Sequence, residues 1–326
     1  MDSRQTQSDP AIFGLNLFGD PVRPSSRGPV ADAFVEPPFT VLDTRSGDWQ
    51  DRKRAWIAMG IQGETGRGFV RPYGKDTRPV AYQWDSEYKG GDCWRGATEG
   101  GTAASIFDPV LCELAYRWFA PPAGQVLDPF AGGSVRGIVA GALGFNYWGC
   151  DLRAEQVAAN EAQADSIGVT PRPVWICGDS KDALTNAPEA DFLFTCPPYG
   201  DLERYSDDEA DLSAMSWTGF SIAYRLILTR AVAKLKDNRF ACVVVGNFRD
   251  TKTGHYRDLV GETVSAMSAA ALGYYNDAVL VTSVGTVAMR ITKQFNAGRK
   301  LGKVHQNVLV FVKGDWRKAV AELTTA

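Results

Sequence analysis

The chain has 326 residues, 44% of them hydrophobic and 22% charged, and a formal net charge of −3. These values fit an ordinary globular protein of one large domain, or a domain with an appendage, and the acidic balance does not by itself favour a nucleic-acid partner. Six cysteines without a Cys-x-x-Cys pair, and only two histidines, argue against a zinc site and against a disulfide framework. No apolar run approaches bilayer length, and the start Met1-Asp2-Ser3-Arg4-Gln5 lacks the apolar core of a signal peptide. The expectation is therefore a cytoplasmic protein with no metal and no membrane.

Residues 1–47 carry Pro10, Pro21, Pro24, Pro29, Pro37 and Pro38 with no sustained period, and read as a loosely ordered arm. Residues 48–100 form an accessory segment that mixes aromatic and basic side chains. Trp49 to Trp56 predicts a short helix, and Arg67, Arg71, Lys75 and Arg78 follow in glycine-rich loops. Rings that stack on bases and cations that meet phosphates suit a nucleic-acid surface. The alternative is a peripheral subdomain whose tryptophans pack on the core. Residues 101–326 read as the main domain, with inserted loops at 200–216 and 285–306. Its first helix opens at Ser105 or Asp108, with Pro109 in the first turn.

Val126-Leu127 is a short apolar run ending at Asp128-Pro129-Phe130-Ala131-Gly132-Gly133-Ser134. That predicts a buried parallel strand, then a turn in which Gly132 and Gly133 let a ligand approach the backbone. Ser134 is expected to cap the next helix, whose positive end favours an anionic group. The strand Phe145 to Asp151 ends in a carboxylate about 20 residues on, where an acid accepts both ribose hydroxyls of a nucleotide. The strand Pro173 to Cys177 leads to Gly178-Asp179-Ser180, where Asp179 suits an adenine amine. For Asp151 and Asp179 the alternative is a plain helix cap. Asp191 to Thr195 is a further strand, running into Cys196-Pro197-Pro198-Tyr199-Gly200. A dinucleotide is disfavoured as ligand because the glycine turn lacks the G-x-G-x-x-G spacing.

These two turns carry a resemblance. Asp128-Pro129-Phe130-Ala131-Gly132-Gly133-Ser134 resembles the cofactor loop of S-adenosylmethionine-dependent amino-methyltransferases, and Thr195-Cys196-Pro197-Pro198-Tyr199 resembles their catalytic loop. Those enzymes methylate adenine N6 or cytosine N4 in DNA, and the chain is similar to phage-type DNA modification methylases from about Ser105 to Lys313. The resemblance implies S-adenosylmethionine as cofactor, double-stranded DNA with a flipped base as partner, and Asp128 near the methionine amino group. It also implies Tyr199 stacked on the base and the Pro197 carbonyl accepting from its amine. Two positions depart from the pattern. Cys196 stands where the family has Asp, Asn or Ser, and a thiol is a weak acceptor. Thr195 is one possible substitute for it. Asp108 replaces a lysine that precedes the proline. An RNA methyltransferase, or a nucleic-acid-binding protein without catalysis, remains the alternative.

The implied fold is a Rossmann-like α/β arrangement of about seven strands, mostly parallel, with an antiparallel end hairpin and helices on both faces. Asp201 to Ser206 and the acidic run after it read as a mobile flap. Trp217 to Leu235 predicts an amphipathic helix, Phe240 to Val245 a strand, and Tyr256 to Leu272 another helix. Strands at Tyr275 to Val284 and Asn307 to Val312 flank a basic connection with Arg290, Lys293, Arg299, Lys300 and Lys303. With Arg249, Lys252 and His255 these cations are the candidate DNA-facing rim.

Overall fold

The structure, a computed structural model, describes residues 34–62, 71–72, 107–200, 203–204, 206, 208–250, 252–285 and 287–323, with backbone alone at 71, 72, 203, 204 and 290. In chain order the strands are β1 (Val41–Asp43), β2 (Arg71–Pro72), β3 (Gln125–Asp128), β4 (Asn146–Asp151), β5 (Val174–Cys177) and β6 (Ala190–Thr195). They continue with β7 (Glu203–Arg204), β8 (Leu235–Val245), β9 (Phe248–Arg249), β10 (Tyr256–Arg257), β11 (Leu272–Val281) and β12 (His305–Lys313). The helices are α1 (Gly47–Ala58), α2 (Pro109–Phe119), α3 (Val135–Ala142), α4 (Ala154–Ile167) and α5 (Ser180–Ala183). After them come α6 (Trp217–Lys234), α7 (Leu259–Ala269), α8 (Val287–Gly298) and α9 (Trp316–Leu323).

Eight strands form one sheet in the order β1-β11-β12-β8-β6-β3-β4-β5. From β8 to β5 the neighbours are parallel, and β12 runs antiparallel to both β8 and β11. This is the Rossmann-like α/β fold with an antiparallel end hairpin. Along the parallel strands successive residues point into different cores. Val126 and Phe192 join one apolar cluster with α1 to α4 and α9, whereas Leu127 and Leu193 join the other with α6 and α7. Burial on both faces explains why these strands read as continuous apolar runs rather than alternating ones.

Several expectations are corrected. The arm 1–47 is not loose throughout: Val41–Asp43 pairs in parallel with Val279–Val281 and adds an eighth strand. Of the two readings of the aromatic and basic segment, Trp49 and Trp56 fit the one in which tryptophans pack on the core: both are buried, and Arg52 pairs with buried Glu113 of α2. Asp108 caps α2 through the Val110 N–H and also accepts from Trp49 and Lys53, which occupies it structurally. The connection 285–306 is largely the helix α8. In the acidic segment, Asp211 caps a short turn and residues 211–213 are buried, while residues 201, 202, 205 and 207 of the expected flap lie outside the described residues. The helix expected from Tyr256 begins at Leu259, after the short strand β10. Cys177 is exposed, unlike buried Cys112, Cys150 and Cys242. Cys93, Arg67, Lys75, Arg78, Asp201 and Asp207 lie outside the described residues. Among the described residues no helix is long and apolar enough to cross a membrane, and no group of His, Cys, Asp or Glu is arranged for a metal.

The face of α3 that meets β5 has no room. A Cβ on Gly137 would overlap the ring of buried Trp175. Alanine normally favours a helix over glycine by about 1 kcal/mol. Overpacking a filled core costs about 1–3 kcal/mol. Gly137→Ala is therefore expected to lower the urea midpoint of unfolding, and a raised midpoint would show that the Trp175 contact is loose.

Candidate active site

The strand order reverses direction between β3 and β6: β4 and β5 lie on one side, β8 and β12 on the other. In open α/β sheets, ligands bind beyond the carboxyl ends of the strands at such a switch point. Both turns singled out in the sequence leave this edge from adjacent strands, since Val126 pairs with Phe192 and Leu127 with Leu193.

The two turns are also bonded together. Asp128 is fully buried, and Thr195 Oγ1 donates to its Oδ1 at 2.6 Å. Its Oδ2 accepts from Tyr147 Oη at 2.8 Å and Arg136 Nε at 2.5 Å. The Phe130 N–H donates to Oδ1 at 3.1 Å. Arg136 reaches back to the carbonyls of Phe130 and Ala131, so one guanidinium supports the turn from below. This corrects two expectations. Asp128 has no surface with which to meet a ligand amine, and Thr195, fully buried, has its hydroxyl turned to Asp128 rather than to a substrate. Both serve the site by holding its loops.

The remaining turn residues form an open cradle. Pro129 accepts from Ser180 Oγ, and the Ala131 N–H donates to the Cys150 carbonyl at 2.9 Å. Gly132 has φ +51°, a left-handed value that suits glycine, and a Cβ there would meet nothing within 4 Å. Asn160 of α4 holds its carbonyl at 2.8 Å. Gly133 follows half-buried. Ser134 is already helical, and its hydroxyl turns inward to Gln163, so it gives α3 no side-chain cap. The Phe130 ring belongs to the same apolar cluster as Tyr199 and Trp217.

Asp151 ends β4 beside this turn. Burial pushes its carboxyl above the usual carboxylate range, opposed by the backbone N–H groups of Arg153 and Gly132. A carboxylate has about four lone-pair sites, so two backbone donors leave capacity for hydroxyls. Asp179 ends the next loop. It accepts from the Lys181 N–H and pairs with Lys181 Nζ at 3.0 Å, so it does cap α5 while keeping part of its surface. The Gly178 N–H donates to the Asp151 carbonyl, which ties these two loops together.

On the other side, Cys196 and Pro198 are half-exposed and Pro197 is buried. Among the described residues no donor reaches the Pro197 carbonyl. The Tyr199 hydroxyl accepts from Gln306 Nε2 of β12 at 2.5 Å. Sequence reasoning missed Arg136, Tyr147 and Asn160, and read Gln306 as a contact for base edges rather than as a partner of Tyr199. Each meets its partner through the fold, and for Gln306 the partner is 107 residues away.

The expected cations gather at one end of the sheet. Arg249 stacks on Tyr256, 4.1 Å from the ring centroid, and donates to the Gly254 carbonyl. Lys252 and His255 are exposed on the same hairpin, and Lys300 Nζ lies over Gly254. Lys293 and Arg299 are exposed on and just after α8. The side chain of Arg290 lies outside the described residues.

No protein-family model matches the chain, and no curated protein matches it. Among solved structures it is similar to TrmN from Thermus thermophilus, at 18% identity over 64% of this chain and 49% of that one, with a TM-score of 0.43. It is also similar to a TehB-like SAM-dependent methyltransferase from Corynebacterium glutamicum, at 14% identity over 65% and 90%, TM-score 0.38. A third is the [4+2]-cyclase SpnF, at 14% identity over 66% and 85%, TM-score 0.45. The chain thus spans about half the length of the Thermus protein. Similarities this distant leave function to the site itself.

Asp128 and Asp151 end neighbouring strands in opposite environments, and the same substitution should separate them. Asp128→Asn breaks a buried ion pair and is expected to cost about 3–5 kcal/mol of folding stability. Asp151→Asn should instead stabilise the fold at pH 7. A carboxyl whose folded value is raised loses stability as pH rises through that value, so removing its charge relieves the loss. The gain should vanish below the ordinary Asp value of about 3.9. Urea titrations at pH 7 and pH 3.5 check both signs.

Proposed function

We propose that the chain is an S-adenosylmethionine-dependent methyltransferase that acts on an exocyclic amine, cytosine N4 or adenine N6, of a base flipped out of DNA. The observation that carries the reading is the junction of the two turns. An open glycine cradle with an acid beside it and a Pro-Pro-Tyr loop leave adjacent parallel strands, bonded through Asp128 and Thr195. Residues 129–133 and Asp151 suit the cofactor. The Gly132 backbone has room for close approach, and the Asp151 carboxylate keeps accepting capacity for ribose hydroxyls. Asp179, which keeps part of its surface, takes the adenine amine.

Bound there, the cofactor supplies a methyl group on a sulfonium sulfur. The chain's part is to make a poor nucleophile attack it in line. The lone pair of an aromatic amine is delocalised into the ring, and an acceptor for its N–H frees that pair. The Pro197 carbonyl fills this role. Cys196 adds little, since a thiol accepts weakly. Tyr199 stacks on the base and fixes its angle of approach. With the cofactor bound, these residues would hold the amine for in-line methylation, and the proton it loses would pass to solvent. The cations of the β9–β10 hairpin and of the α8–β12 connection face the phosphates.

Radiolabelled S-adenosylmethionine incubated with DNA and with RNA tests the reading. Label in DNA alone is expected. Label in RNA alone would replace the substrate, and cofactor binding without transfer to either would favour a non-catalytic nucleic-acid-binding protein. Tyr199→Ala should lower transfer at least 100-fold while cofactor affinity by calorimetry changes less than about threefold. Equal loss of both would overturn the division of roles.

A further inference from the structure

We propose that Lys303 and His305 form a site for the phosphate of the target nucleotide, set directly beside the ring that holds its base. The inference rests on the reading of Tyr199 as the base platform. Three observations converge on it. A Cβ placed on Gly246 would stand 3.8 Å from Lys303 Nζ and 3.9 Å from Tyr199 Cε1, so both side chains border the same bare stretch of backbone. The lysine stem lies along the same glycine, with Cε at 3.2 Å from that point. Gln306, next to His305 on β12, donates to the Tyr199 hydroxyl.

The second part concerns charge. Lys303 Nζ lies 3.2 Å from His305 Nε2, and among the described residues no carboxylate pairs with either side chain. Several other partly or fully buried cations among the described residues have acids: Arg136 has Asp128, Arg257 has Asp250 and Arg239 has Asp191. At the Lys303–His305 pair two bases share a half-buried position without an anion. Burial holds the Lys303 ammonium below the usual lysine range, and burial together with Lys303 holds His305 below the usual histidine range. An anion between them reverses both penalties, because an opposite charge favours the protonated forms. A phosphate supplies that charge together with acceptor oxygens for Nζ and the imidazole.

Lys303 differs in this from the outlying cations. Lys252 is exposed at the hairpin tip and suits a general phosphate contact. Lys303 is placed to fix one phosphate relative to Tyr199, and so to set the position of the extruded nucleotide. Its loss should therefore affect the bound complex as well as its formation.

The test uses the full chain with a fluorescent duplex DNA and labelled S-adenosylmethionine. Lys303→Met is expected to weaken DNA binding about tenfold, to lower the slope of log affinity against log salt by about 0.9, and to slow single-turnover transfer in the saturated complex at least tenfold. Lys303→Arg should restore most of the transfer rate. Lys318→Met, at an exposed lysine on α9 after the far end of β12, should leave binding, salt slope and saturated rate unchanged. Equal behaviour of Lys303→Met and Lys318→Met, or an unchanged salt slope for Lys303→Met, overturns the proposal. If the wild-type chain transfers no methyl to DNA yet Lys303→Met loses affinity and slope, the phosphate site stands and the methyltransferase reading falls.

Discussion

A single buried carboxylate organises the site. Asp128 takes hydrogen bonds from Arg136, Tyr147 and Thr195 and from the backbone of Phe130, with no exposed surface left. Burying a charge is costly unless it is paired and hydrogen-bonded. Here the partners come from the turn after β3 and from α3, β4 and β6, so the carboxylate is satisfied only when all of these are in register. The Arg136 guanidinium then uses its other N–H groups on the carbonyls of Phe130 and Ala131. The shape of the glycine turn and the position of the Pro-Pro-Tyr loop are thus set by one polar network beneath them. A small change in either strand would be felt in both loops, because packed interiors transmit displacement.

The loops above that network are joined in a second layer. Ala131 bonds to Cys150, Gly178 to Asp151 and Ser180 to Pro129. Three successive strand ends are therefore stitched to one another before any ligand arrives. That leaves Asp151 partly buried beside an open glycine, with its charge disfavoured by burial. A group held in an unfavourable environment by surrounding bonds is how binding sites retain affinity at the expense of stability. Asp128 and Asp151 show the contrast between neighbours: one acid is spent on architecture and the other is left facing the cleft.

Much of the fold was legible because buried parallel strands are short apolar runs that end in residues a strand rejects. Val126-Leu127 before Asp128 and Phe192-Leu193-Phe194 before Thr195 carry that signature, and both lie where it placed them. The failures have physical causes too. Val41–Asp43 is too short to show a period and is a strand only because β11 offers an edge to it. The α8 segment reads as a basic loop because its Arg290 and Lys293 and the cations after it stand out, although Val287, Ile291 and Phe295 recur every four residues, the spacing of a helix face. Trp49 and Trp56 allow two readings in sequence, core packing or a stacking surface, because Arg52 and Lys53 lie between them. The helix turns both rings inward, and Arg52 goes with them to meet Glu113. Partners remote in sequence, such as Gln306 for Tyr199, have no local signal at all.

The roles of Thr195 and Cys196 follow from the same network. A hydroxyl at the end of β6 was a reasonable acceptor for a substrate amine, but Asp128 claims it, and a hydroxyl that donates to a buried carboxylate is held in one orientation. The next side chain is a thiol. The polar side-chain acceptor is therefore missing from both places where the motif would put one. What remains is the backbone carbonyl of Pro197, in a turn whose two prolines have no N–H to offer as competing donors. A carbonyl fixed by proline geometry needs no side-chain rotamer to be chosen, and its position is inherited from β6, which Asp128 holds in place. Under the proposed function, the acceptor for the reacting amine would be supplied by the main chain. The Cys196 side chain packs against the first apolar cluster.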